Sequence, residues 1–88
     1  MVKRDISAEA RPPAALLRAA RAAADLSVQA LSAHSGVGAN TIRRAEVEGA
    51  MRLNEATWRA LRTAYAELGA EFVMEDGGAL ALRWAPRA

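Results

Sequence analysis

The sequence predicts a mainly α fold, four helices followed by a C-terminal β-hairpin, and two features of its apolar rhythm predict it. From residue 13 to Gly69 apolar residues recur at three- and four-residue intervals, interrupted near Asp25, at Gly36 and at Gly49, as on one face of successive helices. After Gly69 the interval drops to two. Phe72 and Met74 alternate, Asp76-Gly77-Gly78 signals a turn, and Leu80, Leu82 and Trp84 alternate again, which is a hairpin signature. A length of 88 residues allows one small domain, so the expected units are an arm over 1–12, a helical body over 13–69 and a hairpin over 70–88.

Each element has a local reason. The polar stretch 1–12, bearing Lys3, Arg4 and Arg11, is expected as a flexible arm. Pro13 suits the first turn of helix 1, where its missing N–H costs nothing. Leu16, Leu17, Ala20, Ala23 and Ala24 then keep helical spacing to about Asp25. Ser27 can cap helix 2 by accepting a bond from a free first-turn N–H. Val28 and Leu31 form its narrow apolar stripe, which ends near Ser35, and Gly36 can reverse the chain in the left-handed conformation. Val37 can plug the core, and Ser32 is small where helix 2 must approach helix 3.

Helix 3 starts near Gly38 or Ala39, turning Ile42 and Ala45 inward and Asn40, Arg43 and Arg44 outward. Residues 47–53 read as a loop because Gly49 breaks the pattern. Asn54 reads as the cap of helix 4, in which Trp58, Leu61, Tyr65 and Leu68 repeat until Gly69.

A short helix braced by another across one glycine turn, with amide and guanidinium groups on its free side, fits the DNA major groove. These residues resemble the Cro/repressor-like (XRE) helix-turn-helix family, whose pattern runs Leu-Ser-Gln, Leu-Ala, Gly-Val-Ser, Thr-Ile and then Glu. The chain matches it at Leu26, Ser27, Leu31, Gly36, Val37, Thr41, Ile42 and Glu46. With flanking helices the likeness extends from Leu16 to about Leu61. The tail, with Gly69-Ala70-Glu71-Phe72 and Gly77-Gly78, looks like that of short bacterial regulators of this type. Val28 stands where the family usually has Gln, and Gly38 where it usually has Ser.

The resemblance implies a sequence-specific DNA-binding transcriptional regulator, a repressor, in the cytoplasm. Its recognition positions fall on Ala39, Asn40 and Arg44. Asn can bond an adenine edge, Arg the N7 and O6 of guanine, and Ala the methyl of thymine. Thr41, Arg43, Ser27 and Gln29 are assigned to the DNA backbone, where contacts set register. Arg21 and Glu46 match positions that form an ion pair tying helix 1 to helix 3 in the family. The implied partner is a pseudo-palindromic duplex read by a homodimer. Phe72, Met74, Leu80, Leu82 and Trp84 fall on one hairpin face and are the candidate interface, with helix 4 the alternative. A competing function is that of an antitoxin or adaptor whose partner is a protein such as a toxin.

Composition is compatible with that reading. The net charge of +2 is too small to mark a nucleic-acid binder alone, but all basic residues except Lys3 are arginine, suited to phosphate and guanine. No cysteine is present to build a disulfide or thiolate metal site, as expected in a reducing compartment. Neither a membrane-spanning apolar run nor a signal-peptide core is visible in the sequence. No nucleophile–base pair, carboxylate pair or metal-ligand spacing suggests an enzyme, and no cofactor or metal is expected. His34 reads as a surface residue, Trp58 and Trp84 as core or interface, and Glu75 and Asp76 as acids beside the turn.

Overall fold

The computed structural model describes residues 11–85. Most of the expected arm, including Lys3 and Arg4, and the last three residues of the expected hairpin unit lie outside that range. The described chain runs α1 (Ala14–Ala23), α2 (Val28–Ser35), α3 (Ala39–Glu48), a 3-10 turn (Ala50–Arg52), α4 (Glu55–Leu68), β1 (Ala70–Met74) and β2 (Leu80–Trp84). It is therefore mainly helical, with one small antiparallel sheet.

Pro13 sits one position earlier than expected, as the cap of α1 rather than within its first turn. The helix ends at Ala23, because Asp25 adopts a left-handed φ of 58° and the Leu26 N–H reaches back to the Arg21 carbonyl at 3.2 Å. Asp tolerates that conformation better than most L residues do. At α4, Asn54 Oδ1 accepts from the Thr57 N–H at 2.7 Å, and Gly69 closes the helix at φ 105°.

The sequence places a loop from residue 47, but α3 continues through Glu48. The break belongs to Gly49, whose φ of 90° and ψ of 173° lie in a region that is essentially glycine-only. A methyl there would also lie 3.5 Å from the Ala14 nitrogen and 3.6 Å from the Pro13 Cα, so the chain leaving α3 runs close beside the chain entering α1. The Ala50 N–H donates to the Pro12 carbonyl at 3.1 Å across the same seam.

Arg11, which the sequence assigns to the arm, is fixed in this seam. Its guanidinium donates to the carbonyls of Ala50 (3.1 Å) and Leu53 (2.8 Å) and to Glu55 Oε1 (3.1 Å), and lies 5.9 Å from the Trp58 ring centroid.

The core gathers one face of every helix. Leu17 comes from α1, Leu31 from α2, Ile42 from α3, and Trp58, Leu61 and Tyr65 from α4, all fully or almost fully buried. Hairpin pairing sets Ala70 opposite Trp84, Phe72 opposite Leu82 and Met74 opposite Leu80, so the expected apolar face does form. Strand β1 lies against α4 and β2 against α1. Phe72 is only 4% exposed, its ring 6.0 Å from Trp58 and edge-on to Tyr65 at 5.5 Å. It belongs to the chain's own core and, contrary to the sequence-based expectation, is not on a surface that a second copy could cover. Leu80, Leu82 and Trp84 are half-buried, and Met74 is the exposed member of the set.

Candidate nucleic-acid interface

The turn between α2 and α3 is built from short-range bonds. Ser27 Oγ accepts from the Ala30 N–H at 3.0 Å and starts α2. Gly36 ends it in the left-handed conformation, with its N–H donating to the Ser32 carbonyl at 2.9 Å. The Ser32 hydroxyl donates across the turn to the Val37 carbonyl (2.6 Å), and the Val37 N–H donates to Ser35 Oγ (3.1 Å). Ser32 is thus a brace as well as a small side chain. Val37 is buried beneath the turn, and α3 starts at once from Gly38.

The inner arc of α3 holds Ile42, Ala45 and Glu46. Glu46 is 6% exposed and receives a two-pronged bond from Arg21, Nε to Oε2 at 2.7 Å and Nη2 to Oε1 at 2.9 Å. The remaining Arg21 nitrogen donates to the Leu26 carbonyl at 2.9 Å, and Arg18 donates to the Glu46 carbonyl. Arg21 and Glu46 are therefore joined as an ion pair between α1 and α3. The hydrogen bonds to Glu46 raise the guanidinium pKa above its ordinary value, against the opposite pull of burial. Burial likewise pushes the Tyr65 hydroxyl up, with the Glu46 carboxylate adding to the shift and Arg21 opposing it.

The outer arc is left to solvent. Asn40, Thr41, Arg43 and Arg44 are exposed and Ala39 half-exposed. Asn40 Oδ1 accepts from Arg43 Nη1 at 3.0 Å, so these two side chains are linked. Thr41 and Arg44 border the opposite edge of the same arc, where with Glu48 they wall an open groove of ≈ 490 Å³. Arg52, Leu53, Asn54 and Thr57 also line that groove. Ser27 and Gln29 are exposed at the start of α2 and do not line it.

Two residues of this surface are absent from the sequence-based set. Arg52 stands in a stretch read as loop, where no periodicity marks it. Val47 falls in the same stretch, and on α3, which continues through Glu48, it is 79% exposed. On the far side of α2, His34 Nε2 lies 2.9 Å from Glu67 Oε1, an exposed tie to α4 that sequence spacing cannot reveal. Among the described residues no cluster of three or more acidic, histidine or cysteine side chains could hold a metal, and no helix is long and apolar enough to cross a membrane.

No protein-family model matches the chain, and searches of the curated proteins and of the solved structures return no match.

Proposed function

We propose that this chain is a sequence-specific double-stranded DNA-binding regulator of the helix-turn-helix kind, a repressor that inserts α3 into the major groove. One observation carries the reading. The inner arc of α3 is locked to α1 by Arg21–Glu46 while its outer arc presents Asn40, Arg43 and Arg44 to solvent. A rigidly held helix with guanidinium and amide groups on its free side suits major-groove docking and direct base reading.

Within this reading Ala39, Asn40 and Arg44 face base edges. Arg44 has no intrachain partner among the described residues, so its planar edge is free for guanine N7 and O6. Asn40 reaches adenine after exchanging its bond to Arg43, whose guanidinium then turns to a phosphate. Thr41, Ser27 and Gln29 supply further backbone contacts, and Arg52 extends the basic edge beyond the end of α3.

The test is a gel shift at stated salt on the DNA upstream of the protein's own gene, with competitor duplex present. Specific retention is expected. Arg44→Ala should weaken it by about 1–3 kcal/mol and relax the preference at one base pair. Arg43→Ala should weaken all duplexes alike and lessen the salt dependence. Retention that competitor DNA abolishes completely would sink the sequence-specific reading and leave the adaptor alternative.

A further inference from the structure

The exposed isopropyl group of Val47 has no role in the proposal above. Seven residues at 3.6 per turn place Val47 within about 20° of Asn40 around α3 and about 10 Å further along the axis. Arg43 and Arg44 precede it by four and three residues, so it lies one turn beyond them, between their two rows. It is the large apolar side chain of this outward arc, where Ala39 offers only a methyl, and it is 79% exposed, the highest of any large hydrophobic residue described. A β-branched side chain gains nothing from this position in the helix itself, where alanine would have the higher propensity.

Resting on the DNA reading, we propose that Val47 is a specificity-determining residue that covers the C5-methyl group of a thymine in the major groove. That methyl is the apolar group the base pairs display there. The flanking arginines supply the charge complementarity that brings a phosphate-lined groove onto this arc. The axial offset also sets the spacing. Val47 covers a thymine about two or three base pairs from the base pair read by Asn40, given a 3.4 Å step per base pair.

The experiment uses the full chain to select duplexes from a random pool, then replaces single thymines in the selected duplex by deoxyuridine, which deletes only the methyl. One such replacement, about two or three base pairs from the position whose preference Asn40→Ala removes, should weaken wild-type binding about four-fold, as expected for one buried methyl-sized group. Val47→Ala should show no further loss at that position and should bind the uracil duplex as the wild type does, closing a double-mutant cycle. Circular dichroism and the melting curve of Val47→Ala should match the parent, since the residue is exposed.

If Val47→Ala keeps the full thymine dependence, or weakens thymine and uracil duplexes equally, the assignment of Val47 is overturned while the DNA reading stands. If no duplex is enriched from the pool, the DNA reading fails and the role of Val47 fails with it. The two failures therefore give different results.

Discussion

Glu46 is where the interior of the molecule meets its surface chemistry. A carboxylate that is almost fully buried requires a partner, and Arg21 meets both oxygens. Arg21→Ala should destabilise the fold by about 3 kcal/mol, because it leaves a buried charge uncompensated. Exchanging both partners, Arg21→Met with Glu46→Leu, should restore much of that loss in chemical denaturation. A single mutant that melts like the parent yet fails to bind DNA would transfer the pair from structure to binding. Tyr65 gives a second residue-scale expectation. Its unfolded pKa is about 10 and its folded value is higher, so the stabilisation held by the neutral phenol is complete below pH 10 and lost as pH rises through the folded value. Melting temperature should therefore fall above about pH 10, and Tyr65→Phe should flatten that fall. The chain has one tyrosine and one lysine, which leaves few other groups to titrate there.

Helices and strands were legible in the sequence to different degrees. The hairpin showed plainly because strict alternation around a glycine pair has few other meanings. The observed register pairs the residues that alternation had placed on one face. The end of α3 was misplaced by two residues, because a glycine interrupts the apolar pattern before it interrupts the backbone. Gly49 holds a conformation that L residues avoid, so Gly49→Ala should cost about 1–3 kcal/mol in denaturant unfolding, more than an ordinary glycine-to-alanine change. A stability equal to the parent's would mean that the α3 terminus relaxes freely. Arg11 was unreadable for a different reason. Its acceptors are the backbone carbonyls of Ala50 and Leu53, which have no side-chain signature in a sequence. The Arg21–Glu46 pair was reached through a family pattern, since 25 positions of separation give no local clue.

At the scale of the whole molecule, the proposed DNA reading asks for a second copy, since one short helix would read too few base pairs for useful specificity. Two copies about 34–36 Å apart would read a pseudo-palindrome. The hairpin remains the candidate for joining them, but with less apolar surface than its sequence suggests, since Phe72 is enclosed and Leu82 and Trp84 pack against the core. The exposed Met74, its partner Leu80 and the unpaired strand edges are what a second copy could still cover. Met74→Glu should therefore shift sedimentation toward monomer without lowering monomer stability much. Unchanged dimer content would direct attention to α4 instead. Removing everything after Gly69 is a poor substitute for this test, because it would also take Phe72 from between Trp58 and Tyr65.

The enclosure of Phe72 also bears on the order in which the chain is made. Synthesis proceeds from the N-terminus at about 5–20 residues per second, so all four helices leave the ribosome before the strand that completes their core. For that interval the indole of Trp58 and the ring of Tyr65 lack their aromatic neighbour, and the nascent helices are a platform with its lid missing. Docking of β1 is then the closing step, and Trp58 is placed to report it. With Trp84→Phe leaving Trp58 as the one indole, a stalled chain lacking the hairpin should give the emission of a wetted indole, and one extended past residue 84 that of a dry one.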